Sequence, residues 1–457
     1  MTEHQPFHYR SLAELEAQVQ RLGLEELACD PDLSPLAQPV KLGPLQAPNA
    51  LAIQPMEGCD GEADGSPGEL TRRRYRRFAA GGAGLLWFEA CAVAPEGRAN
   101  PRQLWLHQGN LGAFASLLQE ALAQARDRHG EGHRPVTVLQ LTHSGRYSRP
   151  QGAPAPLIAQ HNPFLDPPSG VPADLPPVSD DYLDRLPEAF VATARLAQRA
   201  GFDAVDIKAC HGYLVHELLA AFTRPGRYGG DFAGRTRFLV ETVARVRAEV
   251  PGLVVTTRLN AYDAVVYPYG WGMDREDAQR ADLAEPIRLV RLLAEQGLPF
   301  LNLTIGNPYY NPHYGRPYDQ PALGGYPGPE HPLEGMARIV RITRDLAQAV
   351  PGLPVIGFGY SWLRQYLGHF AAANLRRGWM SMAGLGRMAF AYPDFPNHLL
   401  AGTLDPRRVC RTCSKCTQIM RDGGQTGCVL FDPEVYLPIY RAGRERAGQA
   451  PGFLADH

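Results

Sequence analysis

Apolar, β-branched runs alternate with helical segments along this chain, and this repeat limits the fold more than any other feature of the sequence. The runs lie near residues 50–56, 84–91, 136–142, 203–208, 253–258, 299–304, 354–358 and 379–384. Segments with the 3.6-residue period of a helix lie between most of them. Eight strand-then-helix units are typical of a closed barrel, whereas an open doubly wound sheet has fewer strands and a glycine-rich turn after the first. The sequence therefore predicts an α/β fold of the (β/α)8 TIM-barrel type.

Short segments flank the predicted barrel. We expect a helical N-terminal extension over residues 1–45, the barrel over 46–400 and a C-terminal extension with clustered cysteines over 401–457. One helix is delimited by Ser179, a residue type that caps helix starts, and by Gly201, a common stop. Residues 150–178 are rich in proline and glycine, which predicts a long loop after the third strand, on the face where barrel active sites lie.

The composition excludes several classes of function. The chain has 457 residues, 44% of them apolar, with a formal net charge of −1. Neither nucleic acid nor an anionic membrane is an expected partner, because both need a basic surface. The arginine-rich run 72–77 is predicted to be an exposed helix face. The N-terminus lacks the pattern of a signal peptide and no apolar run could span a bilayer, so we expect a cytoplasmic protein.

Reactive side chains follow the predicted strands at their carboxyl ends, where they would converge on one site. Gln140 closes the third strand and Arg258 the fifth. The fourth strand leads into Lys208, His211 and Tyr213, which supply an amine, an imidazole that titrates near neutral pH and a phenolic acid. This set predicts a catalytic barrel mouth.

Glycines end the last two predicted strands. The segments Gly357-Phe358-Gly359 and Gly384-Leu385-Gly386-Arg387 leave backbone amides open to an anion, and Arg387 adds positive charge. Barrel enzymes commonly bind phosphate at this position. A phosphate-bearing cofactor held there, with its ring system over the barrel mouth, would meet Arg258 and Gln140.

Four of the eight cysteines crowd near the C-terminus as Cys410-x2-Cys413-x2-Cys416-x11-Cys428. In a reducing compartment this spacing favours metal binding over disulfides. Four thiolates can hold zinc or an iron–sulfur cluster, and geometry alone leaves the choice open. Cysteines without any ligand are a third alternative.

Several motifs, in order on the predicted strands, resemble the old yellow enzyme family of FMN-dependent oxidoreductases. The resemblance spans about residues 35 to 400 and depends on the combination of motifs. They are Pro55-Met56, Gly82-Ala83-Gly84 leading to Glu89-Ala90, Pro95-Glu96-Gly97-Arg98, Gln140 to Arg146, His211-Gly212-Tyr213, Tyr228-Gly229-Gly230 and Gly386-Arg387.

The resemblance implies a role for each matching residue. Gln140 would bond the pyrimidine edge of FMN, and Arg258 would stabilise the anionic reduced ring. Tyr213 would protonate the carbon opposite the hydride acceptor, and His211 would bond the electron-withdrawing oxygen of the substrate. The remaining flavin contacts would be Pro55, Met56 and Ala90 at the ring and Gly357, Gly359, Gly386 and Arg387 at the phosphate.

The cysteine cluster resembles that of the 2,4-dienoyl-CoA reductase and trimethylamine dehydrogenase branch, which implies a 4Fe-4S cluster, with zinc as the alternative. We expect hydride transfer to an activated C=C bond, or the reverse oxidation of a small substrate. No second nucleotide-binding pattern follows residue 400. Electrons would therefore come from NAD(P)H directly or pass through a separate electron-transfer protein. The resemblance is also compatible with a homo-oligomer.

Lys208 stands where the family usually has histidine or a neutral residue. A lysine favours a carboxylate or an enolate-like oxygen, so the substrate is predicted to be anionic. An inward ion pair of Lys208 with Asp206 is an alternative explanation. A different reaction is also open: a Schiff-base lyase or isomerase on a phosphate-binding barrel, with Lys208 as the amine. A third interpretation is a non-catalytic scaffold, held together by a metal, whose active site has been lost. The presence of His211 and Tyr213 argues against it.

Overall fold

The computed structural model describes residues 3–448, and its centre is a closed barrel of eight parallel strands. Each barrel strand pairs with the next along the chain, and the last pairs with the first. An antiparallel hairpin comes first, and the barrel strands follow: β1 (Val40–Leu42), β2 (Leu45–Ala47), β3 (Leu51–Ile53), β4 (Leu85–Ala92), β5 (Val136–Thr142), β6 (Ala204–Ile207), β7 (Val254–Asn260), β8 (Leu301–Thr304), β9 (Val355–Gly357) and β10 (Met382–Leu385). Each of the eight predicted runs overlaps one barrel strand, so the predicted fold class is confirmed.

Helices surround the barrel and cover its loops. They are α1 (Leu12–Arg21), α2 (Ser34–Ala37), α3 (Glu69–Ala80), α4 (Leu111–His129), α5 (Asp166–Ser169), α6 (Asp180–Ala200), α7 (Leu214–Leu219), α8 (Phe232–Glu249), α9 (Ala284–Glu295), α10 (Pro312–Gly315), α11 (Pro332–Ala349), α12 (Leu367–Arg376), α13 (Arg387–Ala391), α14 (Phe395–Leu400), α15 (Lys415–Arg421) and α16 (Pro433–Arg446). Short 3-10 turns occupy Pro95–Gly97, Gln108–Asn110, Gly145–Tyr147 and Tyr360–Tyr366.

The predicted ends of α6 are confirmed. The Ser179 hydroxyl accepts a hydrogen bond from the backbone N–H of Tyr182, and Gly201 ends the helix with a φ of +100°. The predicted loop 150–178 contains one short helix, α5, and no strand. Residues 449–457 of the predicted C-terminal extension lie outside the described residues.

Apolar side chains fill the barrel from its amino end. The hairpin residues Leu42 and Ala47 belong to one buried cluster with Trp87 and Phe300, and this cluster closes that end of the barrel. On β6, Val205 and Ile207 face the helices and belong to the larger core, as alternation predicts. With its amino end filled by this apolar cluster, the barrel has its large cavity at the carboxyl ends of the strands.

The arginine run 72–77 lies on α3, but the prediction of an exposed face is wrong for Arg74. Only 4% of Arg74 is exposed, and its guanidinium forms ion pairs with Asp60 and Glu89. Spacing within the run could not reveal this, because both partners come from other segments. Arg73 and Arg77 instead pair with Asp432, which ties α3 to the start of α16.

The described part of the C-terminal extension, residues 401–448, contains two helices, and Ile419, Val429, Tyr436 and Tyr440 form a small buried cluster there. Arg444 of α16 forms an ion pair with Asp422 just after α15. Within residues 3–448, no helix combines the length and the apolar character that crossing a membrane requires.

Candidate active site and cysteine cluster

A deep cavity opens at the carboxyl ends of the barrel strands. Its free space is about 1370 Å³ including the open mouth, enough for a cofactor of flavin size together with a substrate. Ten of the predicted site residues line it: Pro55, Met56, Lys208, His211, Tyr213, Arg258, Gly359, Gly386, Arg387 and Cys416. These residues come from six separate segments, so their convergence follows from barrel closure and not from proximity in the sequence.

Lys208, Tyr213 and Glu57 form a compact group in the wall of the cavity. The Tyr213 hydroxyl donates to Glu57 Oε1 at 3.1 Å, and Lys208 Nζ lies 3.3 Å from the same oxygen. The Lys208 ammonium also lies 3.6 Å from the centre of the Tyr213 ring. Burial, and next the charge of Glu57, raise the pKa of Tyr213 well above its usual value. The phenol therefore stays protonated in this arrangement.

Asp206 is not the partner of Lys208, so the alternative of a Lys208–Asp206 ion pair is wrong. The Asp206 carboxylate points into the barrel, where it accepts from Trp87 Nε1 at 2.9 Å and Gln140 Nε2 at 2.6 Å. It also accepts from the backbone N–H of Arg258 at 2.6 Å. Burial raises the pKa of Asp206 to about 6, and the three donors oppose that shift. Asp206 thus ties β4, β5 and β7 together beneath the site.

The loop after β6 presents His211 and Tyr213 to the cavity. Both His211 and Gly212 have positive φ, +65° and +72°. A Cβ on residue 212 would lie 2.7 Å from Asn307 Nδ2, so both space and conformation favour glycine there. The Gly212 N–H donates to His216 Nδ1 at 2.8 Å, which anchors the loop to α7. Burial, with the charges of Arg258 and Lys208, lowers the pKa of His211 well below its usual value.

Three arginines in the cavity wall have nitrogen atoms without partners. Nε of Arg258, Nε of Arg316 and Nη1 of Arg387 are buried and form no hydrogen bond within the described residues. Burial, and next the charge of Arg387, lower the pKa of Arg316 to about 10. Unpaired buried donors are unfavourable, so the wall is suited to an anionic or strongly accepting ligand.

The other predicted barrel residues lie beside the cavity and do not line it. Ala90 is buried on β4, and Gln140 is bonded to Asp206 as described. A Cβ on Gly357 would lie 2.6 Å from the sulfur of Met380, which is a packing reason for glycine at the end of β9. The roles of these three residues in binding a cofactor stay predictions.

All four clustered cysteines line a second, smaller cavity next to the first. Arg387, Phe390 and Cys416 line both cavities. Burial raises the pKa of the Cys410 thiol to about 12. Within residues 3–448, no group of three or more His, Cys, Asp or Glu side chains converges closely enough to hold a single metal ion.

Sequence reasoning missed Glu57, Tyr309, Arg316 and Arg421, which also line the large cavity. Glu57 could have been found, because it follows Pro55-Met56 directly at the end of the first barrel strand. Tyr309, Arg316 and Arg421 lie on loops or on the extension, and no strand pattern marks them.

The sequence model of the NADH:flavin oxidoreductase / NADH oxidase family matches residues 35–285, more than half of the chain. The chain belongs to this family. The predicted old yellow enzyme resemblance is thereby confirmed, since the match covers the motifs from Pro55-Met56 through Tyr228-Gly229-Gly230 and Arg258.

Two relatives illustrate the range of the family. The NADPH dehydrogenase of Bacillus velezensis is 30% identical over 251 residues, which cover 54% of this chain and 65% of that protein. The dimethylamine dehydrogenase of Hyphomicrobium sp. is 26% identical over 415 residues, 87% of this chain and 50% of that one. The chain therefore spans just under two thirds of the first relative and half of the second.

Among solved structures, a 2-naphthoyl-CoA reductase complex superposes with a TM-score of 0.71 at 18% identity, covering 89% of this chain and 58% of that one. At this level of identity the likeness shows the fold alone.

Proposed function

We propose that this family member is an FMN-dependent oxidoreductase that transfers hydride from reduced flavin to an activated C=C bond, or oxidises a small substrate in the reverse direction. The observation that carries the proposal is the single cavity in which His211, Tyr213 and Arg258 meet the glycines and the arginine at the ends of the last two strands. NADPH dehydrogenase among the relatives supports NAD(P)H as the electron donor.

The residues of the cavity fit FMN. Arg387 and the glycines at 359 and 386 would hold the phosphate, and the unpartnered Arg387 Nη1 is available for it. Pro55 and Met56 line the cavity and would pack against the ring system. Ala90, buried on β4, would be a further ring contact. Arg258 Nε, also unpartnered, would lie beside the electron-rich edge of the ring.

Gln140 would also contact the flavin, through the part of its side-chain amide that is not bonded to Asp206. Its Nε2 is committed to Asp206, so its oxygen is the acceptor that remains for a ring N–H of the flavin. Gly357, two residues before Gly359, is proposed to belong to the same phosphate site. Bound FMN would supply a reversible carrier of hydride, which no side chain of the protein can provide.

The protein residues would handle the substrate and its proton. Neutral His211 would donate a hydrogen bond to the electron-withdrawing oxygen and so polarise the double bond. Tyr213 would give its phenolic proton to the carbon opposite the one that receives hydride. Buried positive charge at Arg258 would favour the reduced, anionic form of the ring over the oxidised form.

Cys410, Cys413, Cys416 and Cys428 are proposed to hold a 4Fe-4S cluster. All four cysteines line one small cavity, so their thiols are available to a shared ligand, and zinc stays the alternative. The shared wall at Arg387, Phe390 and Cys416 would bring such a cluster close to the flavin. Dimethylamine dehydrogenase among the relatives supports this cofactor, and a separate electron-transfer protein would then be a second partner.

The Schiff-base alternative has no support. Lys208 forms an ion pair with Glu57, whereas a Schiff-base lysine must be uncharged to attack a carbonyl. We also propose an anionic substrate, which Lys208 would bind. Such a substrate would have to compete with Glu57 for the positive charge of Lys208. A homo-oligomer and a cytoplasmic location stay predictions.

Anaerobic purification followed by absorbance spectra before and after dithionite tests the cofactors, together with FMN and iron analysis. We expect flavin bands on a broad iron–sulfur absorbance, and bleaching of both. Cys428→Ser should lose most of the iron and keep the flavin, while Cys29→Ser, which changes a cysteine outside the cluster, should retain both. A colourless protein that does not take up added FMN would refute the proposal, and zinc in place of iron would refute the cluster.

A further inference from the structure

Glu57 occupies a position in the cavity wall that the proposed chemistry does not yet use. It is the carboxylate that contacts the proposed proton donor, and the same oxygen, Oε1, contacts both the Tyr213 hydroxyl and the Lys208 ammonium. It directly follows the Pro55-Met56 segment that would pack against the flavin. Its side chain therefore lines the cavity next to the reacting groups.

Of the three side chains in this group, that of Glu57 is the most exposed to solvent. The side chains of Lys208 and Glu57 are 3% and 16% exposed, and Tyr213 is 3% exposed. A buried phenol that gives up a proton in each turnover needs a path to regain it. Glu57 is ionisable, bonded to the phenol and partly open to water, which are the three properties of a relay.

On the basis of the proposed function, we infer that Glu57 is the positioning residue that passes the proton between Tyr213 and solvent. In the oxidative direction bound FMN would supply the hydride acceptor. The substrate carbon next to the one that loses hydride would give its proton to the Tyr213 oxygen, and the electrons of that C–H bond would form the C=C bond. The O–H bond of Tyr213 breaks at the same time and its proton moves to the Glu57 carboxylate, which later releases it to water.

The reductive direction reverses each step. In this direction bound FMN would supply the hydride. Tyr213 would protonate the other alkene carbon, and protonated Glu57 would restore the phenol. Lys208 supports both directions, because its ammonium lies against the Tyr213 ring and would stabilise negative charge on the phenol oxygen.

One other polar group offers a competing path. The Tyr309 hydroxyl lies 3.4 Å from that of Tyr213, and 42% of Tyr309 is exposed. The groups that face Tyr213 are thus Glu57 from the loop after β3, Lys208 from the end of β6, Tyr309 from the loop after β8 and Tyr147, whose ring centre is 6.1 Å away. A test must therefore separate Glu57 from Tyr309.

Glu57→Gln is the discriminating variant, because glutamine keeps the volume and an acceptor oxygen but cannot take up a proton. With flavin-loaded, pre-reduced protein, reoxidation by 2-cyclohexen-1-one should slow by about 100-fold, in the range for loss of one acid–base group. Reoxidation by ferricyanide needs no proton on carbon and should be unchanged. Tyr309→Phe should slow the enone reaction much less than Glu57→Gln does, and Glu57→Asp should recover part of the enone rate; an equal or larger loss in Tyr309→Phe would assign the relay to Tyr309 and overturn the inference.

A second readout needs no cofactor. Removing the charge of Glu57 leaves Lys208 unpaired against the Tyr213 ring, so an ultraviolet titration of Glu57→Gln should show one tyrosine ionising at lower pH than in the native protein. The Glu57→Gln, Tyr213→Phe double variant should lack that transition. An unchanged titration overturns the inference even in protein without flavin, and so does an enone rate that falls no more than the ferricyanide rate. Native protein that binds no FMN instead refutes the proposed function.

Discussion

Two clusters of buried charged side chains lie close together around the loop that follows β3, and they differ in what surrounds them. The closed cluster consists of Asp60, Arg74 and Glu89, and the open cluster of Glu57, Lys208 and Tyr213. The closed cluster has two carboxylates and a cation, the open cluster has one carboxylate, a cation and a phenol, and both join separate segments. The closed cluster is sealed by packing, whereas the open cluster lines the large cavity.

The hydrogen-bond partners of the carboxylates differ between the two clusters in the same way. In the closed cluster, Asp60 also accepts from the Thr71 hydroxyl at 2.6 Å, and Glu89 accepts from the backbone N–H of Gly58 at 2.7 Å. In the open cluster, Glu57 Oε1 accepts from Lys208 and Tyr213, and its side chain keeps some access to water. We infer that the closed cluster stabilises the fold, while the open cluster keeps its groups available for proton transfer.

Loss of Arg74 should have the largest effect and would test the closed cluster. Arg74→Met leaves two buried carboxylates without their cation, so the free energy of unfolding should fall by about 3–5 kcal/mol. Denaturant unfolding at fixed pH measures it. Arg76→Met is the matched control on the same helix, because Arg76 is 37% exposed and pairs with an exposed Glu69; it should change stability by no more than about 0.5 kcal/mol. Equal effects of the two variants would contradict the comparison.

Tyr213→Phe should show the opposite pattern in the open cluster. Enone reduction should slow by about 100-fold, while reduction of the flavin by NAD(P)H stays close to the native rate. Stopped-flow measurement of the two half-reactions gives both values. Tyr147→Phe is the control, because it removes a nearby phenolic hydroxyl and keeps the ring, whose centre lies 6.1 Å from that of Tyr213. If both half-reactions of Tyr213→Phe slowed equally, its role as proton donor would be wrong.

Lys208→Met should have the smallest effect and would sharpen the picture of the open cluster. If the substrate is anionic, this variant should lose about tenfold in affinity for an unsaturated acid relative to a neutral enone, about 1.4 kcal/mol. Titration of the flavin absorbance with each ligand measures the ratio. An unchanged ratio would mean that Lys208 serves Glu57 and Tyr213 alone.

Much of the site could be predicted because it lies at strand ends. The repeat located the eight strands, and parallel strands bring their carboxyl ends together, so residues such as Tyr213 and Arg258 could be assigned to one mouth. Gln140 was assigned to the same mouth, but its amide nitrogen turned out to be committed to Asp206. The hydrogen-bond partner of a buried side chain lies on a neighbouring strand. The residue pattern along one strand carries no information about that partner.

The amino-acid sequence by itself determined the barrel, the family and the set of reactive residue types, because periodicity and local motifs are properties of continuous segments. Only the tertiary structure decided which charges meet. It paired Lys208 with Glu57 and not with Asp206, and it buried Arg74 within a run whose other arginines are partly exposed. Such pairings depend on distances between segments far apart in the chain, and barrel closure and loop packing fix those distances.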